Sequence, residues 1–76
     1  MNKQRRECVD AIIEKLNDIQ SMVNDVLDEE SEYRDNIPDN LRNSEKYENA
    51  ENNCDNLQRA IDSIDEAVSY LQEAQA

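Results

Sequence analysis

The chain has 76 residues, enough for one small domain with a thin core. Its 19 acidic residues outnumber its 8 basic ones, which argues against direct binding to nucleic-acid phosphates. Glycine and histidine are absent, which disfavours β-hairpin turns, phosphate-binding loops and zinc sites. We therefore expect a single domain over residues 1–76 that holds no cofactor and no metal.

The start of the chain is polar. Met1–Glu7 contains no apolar stretch of the kind that secretory signals carry. No segment approaches the roughly 18 apolar residues that a membrane-spanning helix needs. We therefore expect a cytoplasmic protein that does not associate with membranes and whose thiols stay reduced.

Apolar residues recur at alternating steps of three and four through the first part of the chain, which predicts a helix over about residues 3–34. This alternation is typical of a coiled-coil seam. The predicted seam residues are Val9, Ile12, Leu16, Ile19, Val23, Val26 and, after a break at Glu30, Tyr33. Three further apolar residues, Ile13, Met22 and Leu27, widen the stripe beyond a two-helix seam.

Pro38 interrupts the helical pattern, because proline inside a helix removes a hydrogen bond and clashes with the preceding turn. We predict a one-turn corner over residues 38–42. Asn36 is the expected cap of that turn, and Asn43 is expected to adopt a left-handed conformation that ends it. Ser44 is expected to cap the helix that follows.

A second heptad stripe predicts a helix over about residues 45–74. Its seam residues are Tyr47, Ala50, Cys54, Leu57, Ile61, Ile64, Val68 and Leu71. Ala60, Ala67 and Ala74 form a row of small side chains beside this seam, which would let a neighbouring backbone approach closely. Such regular spacing is not typical of a disordered acidic chain, so we expect both helices to be folded.

The two arms have nearly equal length, so we predict an all-α fold, an antiparallel two-helix hairpin with coiled-coil packing. Folding the chain at residue 37 would place position i opposite roughly position 74 − i, so that Leu16 faces Leu57 and Val23 faces Ala50. Cys8 and Cys54 would then lie roughly 18 Å apart, too far for a disulfide.

The apolar residues outside the predicted seam leave three alternatives. They broaden the contact within one hairpin, or they let two hairpins form a four-helix bundle, because two-helix units seldom hold alone. The third alternative is that they dock on a different protein. The candidate self-association residues are Ile13, Met22, Leu27, Ala60, Ala67 and Ala74. A domain-swapped dimer, in which two chains exchange arms, fits the same pattern.

No arrangement of side chains suggests catalysis, so we expect that the protein is not an enzyme. No nucleophile has an evident base, and a helical hairpin offers no deep pocket. The acidic run from Asp25 to Asp35 lacks the glycine and the ligand spacing of an EF-hand loop.

Acidic residues follow one another at helical spacing along both arms, with few basic neighbours. Each like-charge pair costs roughly 0.2–0.5 kcal/mol. Either the acids confer solubility, or they bind the basic surface of a partner protein in the way that nucleic-acid phosphates do. The candidate partner-binding residues are Asp25, Asp28, Glu32, Glu48, Asp55 and Asp62.

The corner and the second helix resemble small acidic helical-hairpin proteins of phages and prophages of low-GC bacteria. The resemblance rests on the segment Ile37–Glu51, on the later Leu57, Ile61 and Leu71, and on the run that ends at Tyr33. Glycine often stands in that family where Asn43 stands here. The family's functions are mostly unassigned, so no functional residue is carried over. The resemblance implies an accessory protein that redirects one host protein or antagonises a host defence system.

Together these patterns favour a non-catalytic protein-binding module. The leading hypothesis is a phage-encoded accessory protein that inhibits a host defence or nucleic-acid-binding protein by nucleic-acid mimicry. The alternative is a self-associating helical bundle with a structural or assembly role.

Overall fold

The computed structural model describes all 76 residues as two long helices joined by a short corner. Helix α1 spans Lys3–Asp35, a 3₁₀ turn spans Asp39–Leu41, and helix α2 spans Glu45–Glu73. The helices lie antiparallel and pack against each other in a rod whose Cα atoms span 59 × 15 × 12 Å. The predicted all-α hairpin is confirmed, and the predicted helix ends agree closely with those observed.

Short polar side chains begin both helices. The side chain of Asn2 accepts a hydrogen bond of 2.8 Å from the backbone N–H of Arg5 at the start of α1. Ser44 accepts one of 3.3 Å from the N–H of Tyr47 at the start of α2, as predicted. These side chains satisfy amides that have no partner within the helix, and so they set where each helix starts.

The corner turns without a left-handed residue. No residue of the chain has a positive φ angle, so the prediction for Asn43 was wrong. The prediction that Asn36 caps the turn was also wrong, because Asn36 ends α1 and Pro38 precedes the turn without a side-chain cap. The N–H of Leu41 donates to the carbonyl of Pro38 at 2.8 Å, and this 3₁₀ bond reverses the chain with ordinary backbone angles.

The register of the two helices differs from the predicted one. The Ser31 hydroxyl lies 3.6 Å from the sulfur of Cys54, and the Gln20 amide lies 2.6 Å from a carboxylate oxygen of Asp65. Facing residues therefore have numbers that add to about 85, not 74. The prediction placed the fold at residue 37, whereas residues 36–44 all belong to the corner and move the turning point along the chain.

The seam of α2 is the predicted one. Its residues Ala50, Cys54 and Ile61 are 1%, 5% and 7% exposed and are the only buried residues of the chain. Ala50 and Cys54 are small, which lets α1 approach α2 closely near the corner. The interior is therefore thin, as expected for two helices that pack on each other alone.

The seam of α1 is only partly the predicted one. Ile13, Gln20 and Leu27 are half-buried, and they lie seven residues apart on the stripe that meets α2. The predicted seam residues Ile12, Ile19, Val26 and Tyr33 are instead 46%, 48%, 49% and 49% exposed. Ile13 and Leu27, predicted as surplus for self-association, therefore belong to the contact between the two helices. The hydrogen bonds of Gln20 to α2 orient α1 in this way.

The two cysteines lie far apart. Both are free, with Cys8 exposed and Cys54 buried, so the prediction of a core position for Cys54 is confirmed. Because Cys54 contacts Ser31, the length of α1 between Cys8 and Ser31 separates the two thiols by roughly 34 Å. The separation exceeds the predicted one because the register differs.

Candidate protein-binding faces

The hairpin has two flanks, because each helix exposes a row of side chains on either side of its seam. Cross-helix hydrogen bonds show which rows share a flank. Asp65 accepts from Gln20 on one flank, whereas Asn53 donates to Glu30 at 3.5 Å on the other. Residues seven positions apart lie in the same row of a helix, so these contacts place every exposed row of both helices on one flank or on an outer edge.

One flank is acidic, and we call it the acidic face. It carries Glu7, Asp10, Glu14, Asp28 and Asp35 from α1, and Glu48, Glu51, Asp55, Asp62 and Asp65 from α2. All of these residues are exposed, and Lys3 is the only basic residue in the same rows. Carboxylates of both helices therefore lie side by side along the hairpin.

Few of these carboxylates are neutralised. The chain has two ion pairs, Arg34 with Asp35 and Arg42 with Asp39, each 3.1 Å long, and only the first reaches the acidic face. Its hydrogen bond to Asp35 raises the pKa of the Arg34 guanidinium above the ordinary value, although partial desolvation opposes that effect. The remainder of the acidic face is left without a cationic partner inside the molecule.

Neutral side-chain amides donate hydrogen bonds to two of the carboxylates instead. Asp65 accepts from the side chain of Gln20, and Asp10 accepts from the side chain of Gln75 at 2.5 Å. An amide donor satisfies a carboxylate oxygen without cancelling its charge. These contacts hold the helices together and leave the negative potential of the face intact.

The fold divides the predicted partner-binding set. Asp28, Glu48, Asp55 and Asp62 lie on the acidic face. Asp25 and Glu32 lie seven residues apart on the outer edge of α1, opposite its seam, and do not share that face.

The predicted partner-binding set left out two acids of this face, Glu51 and Asp65. Both lie next to Glu48, Asp55 and Asp62 of the same helix. The spacing of the five acids along α2 already placed them together, because residues three and four apart lie on one side of a helix.

The other flank is apolar, and we call it the apolar face. From α1 it carries Ile12, Ile19, Met22, Val26 and Tyr33, and from α2 it carries Ala60, Ala67 and Ala74. Met22 is 66% exposed, and Tyr33 is about as exposed as Val26. Met22 and the alanine row thus lie beside an exposed apolar surface, whereas Ile13 and Leu27 do not contribute to it.

A shallow groove of about 310 Å³ crosses the apolar face between the helices. All of its lining residues are apolar, namely Ile19, Met22, Val23, Val26 and Leu57. The apolar face also carries little negative charge. Glu29 is the only carboxylate in its exposed rows, which also contain Arg5, Lys15 and Lys46, and the half-buried Glu30 reaches the same flank to accept from Asn53.

A second open cavity, of about 260 Å³, lies at the corner. Tyr33 and Leu41 both line it. Pro38 and Ile37 complete its apolar wall. The guanidinium carbon of Arg42 lies 5.7 Å from the centre of the Tyr47 ring, which steadies the start of α2.

No protein-family model, no curated protein and no solved structure matches the chain. The resemblance to phage hairpin proteins therefore stays a prediction. Neither helix contains a stretch apolar and long enough to cross a bilayer. No three cysteine or carboxylate side chains are arranged around a common point that could hold a metal ion.

Proposed function

We propose that the chain is a non-catalytic binding module that inhibits a host nucleic-acid-binding or defence protein by occupying its basic surface. The observation that carries this proposal is the acidic face, where carboxylates of two helices lie side by side with almost no cations among them. A protein surface built to hold phosphates has the complementary charge.

The acidic face has an internal electrostatic cost. Asp28 and Asp55 lie at the same level of the hairpin, since their numbers add to nearly the same value as those of the facing pairs. Glu51 and Asp55 lie four residues apart on the same side of α2. Like charges at these spacings repel, and a basic partner converts that repulsion into attraction on binding.

The density of charge indicates what kind of partner fits. Carboxylates in one row of the acidic face recur at most once per heptad, which is about 10 Å along the helix. Duplex DNA carries one charge per about 1.7 Å of its axis. The acidic face is therefore much less densely charged than a duplex. It suits a groove with several separated Lys and Arg side chains, and its binding should weaken with salt less steeply than DNA binding does.

Affinity capture with paired variants tests the proposal. The tagged chain is incubated with lysate of a low-GC bacterium at about 0.1 M and about 0.5 M salt, a range over which exposed charges become screened. We expect recovery of a basic, nucleic-acid-binding protein at the lower salt only. Duplex DNA added to the lysate should compete with the capture.

The triple variant Glu48→Lys, Asp55→Lys, Asp62→Lys removes charge from the acidic face and should abolish capture. The control Asp18→Lys, Asp25→Lys, Glu32→Lys changes net charge equally on the outer edge of α1 and should retain it. Equal loss in both variants would contradict a specific role for the acidic face. Recovery of the chain alone, as a salt-resistant oligomer, would favour the structural alternative.

A further inference from the structure

We propose that the apolar face is the interface with a second copy of this chain, so that two hairpins form a four-helix bundle with both acidic faces outside. This interface lies on the flank opposite the acidic face, so it is independent of the proposed function. In this dimer the second copy covers the apolar side chains that a single hairpin leaves exposed to water.

A single hairpin buries the apolar side chains of α1 incompletely. Ile12, Ile19 and Val26 are each nearly half exposed, and Met22 is more exposed still. These four residues form one continuous apolar strip along α1. Apolar residues scattered singly over a surface are ordinary, whereas a continuous strip marks an interaction site. Only three residues of the chain are buried, so one hairpin has too little interior to hold two helices of this length.

Charge also favours contact between two copies on this flank. The chain carries a net charge of −11, so two copies repel each other over most of their surface. The apolar face is the exception, because Glu29 and Glu30 are its only carboxylates and Arg5, Lys15 and Lys46 lie on the same flank. Two copies can therefore meet there with little repulsion between carboxylates. A basic partner, by contrast, is drawn to the opposite flank.

The two helices also differ in shape on the apolar face. There α1 presents large side chains, whereas the row of α2 next to its seam presents the small side chains of Ala60, Ala67 and Ala74, and Tyr70 near the open end is the one large side chain of α2 on this flank. A two-fold axis parallel to the hairpin lays α1 of one copy over α2 of the other, so large side chains meet alanines in both halves. An axis across the hairpin would lay α1 on α1 and oppose large side chains with large ones. We therefore place the two corners at the same end of the bundle.

The area of the flank is also sufficient. The whole flank measures 59 Å by 15 Å, a projected area of roughly 900 Å², and the apolar strip from Ile12 to Tyr33 takes up about half of its length. Contact along the whole flank therefore matches the roughly 800 Å² that each partner contributes to a standard specific interface.

The first test is the mass of the intact chain in solution, measured by sedimentation equilibrium. We expect twice the chain mass of 8.9 kDa. The variant Ile19→Glu, Val26→Glu should sediment as a single chain, whereas Asn17→Glu, Asn24→Glu, with the same added charge on the opposite flank of α1, should stay dimeric. Met22→Glu, at the most exposed position of the face, should weaken the dimer at least tenfold while leaving helicity unchanged.

The second test needs no substitution. A spin label on the exposed Cys8, with Cys54 protected by burial, reports the distance between two copies. Corners at the same end predict a separation below roughly 25 Å, whereas corners at opposite ends predict roughly 40 Å from the length of α1. A wild-type chain that sediments at 8.9 kDa overturns the interface, and the longer distance overturns the arrangement. Charge reversal of the acidic face should change neither the mass nor the distance, so this inference and the proposed function can fail separately.

Discussion

The amide of Gln20 on α1 donates to the carboxylate of Asp65 on α2 at 2.6 Å and to the backbone carbonyl of Ile61 at 3.0 Å. Gln20 lies on the seam between Ile13 and Leu27, and in the observed register its amide meets polar acceptors of α2. A single polar residue in a coiled-coil seam selects register in this way, at some cost in stability. This contact orients α1, and so it decides which side chains reach each flank.

Replacing Gln20 with alanine should destabilise the hairpin. The change removes both hydrogen bonds and part of the seam, so we expect the free energy of unfolding to fall by about 1–2 kcal/mol. Chemical denaturation followed by helical circular dichroism measures the change. Asn17→Ala, one turn away at an exposed position, should alter it by less than about 0.5 kcal/mol. Equal effects of the two substitutions would show that Gln20 does not bind across the seam.

Enlarging Ala50 should force the helices apart near the corner. Ala50 is 1% exposed, so a leucine there has no room and should cost about 1–3 kcal/mol. Thermal unfolding at fixed protein concentration measures this loss. Ala11→Leu adds the same atoms at an exposed position of α1 and should leave the midpoint almost unchanged. A neutral result for Ala50→Leu would mean that the helices do not approach closely at this level.

The two thiols should differ strongly in reactivity. Cys8 is exposed and should react at once with a thiol reagent, whereas Cys54 is 5% exposed beside Ser31 and should react only after unfolding. Thiol titration of the native chain should therefore count one group, and titration in denaturant should count two. The variant Cys8→Ser should show no rapid reaction at all. Rapid modification of Cys54 in that variant would contradict its position in the seam.

Added salt should stabilise the hairpin. The carboxylates of the acidic face repel one another almost without internal cations, and salt screens exposed charges. Each like-charge pair costs roughly 0.2–0.5 kcal/mol, and salt relieves several such pairs. We therefore expect the unfolding midpoint to rise by about 5–10 °C between about 0.02 and 0.5 M salt.

The double variant Asp28→Asn, Asp55→Asn should reduce that rise, because it removes carboxylates that face each other across the two helices. The control Lys15→Gln, Lys46→Gln removes cations from the other flank and should not reduce it. A midpoint that is insensitive to salt in the wild-type chain would show that the repulsion is negligible.

Local features of the sequence determined the elements of this protein. Pro38 cannot continue a helix and Ser44 can begin one, so the corner and the start of α2 follow from residue chemistry. The apolar stripe of α2 is narrow, with polar residues on both sides apart from the alanine row. The pattern of α2 alone therefore predicts which of its residues face α1. Burial of Ala50, Cys54 and Ile61 confirms that prediction.

Only the tertiary structure decided how α1 meets α2. In α1 two adjacent rows carry large apolar residues, one with Ile12, Ile19 and Val26 and the other with Ile13 and Leu27, so its periodicity admits two seams. The choice depends on a partner for Gln20 and on the length of chain taken up by the corner. Neither is visible in a pattern read along one helix, because both depend on contacts between residues far apart in the chain. The division of the acids into a shared face and an outer edge follows from that same choice.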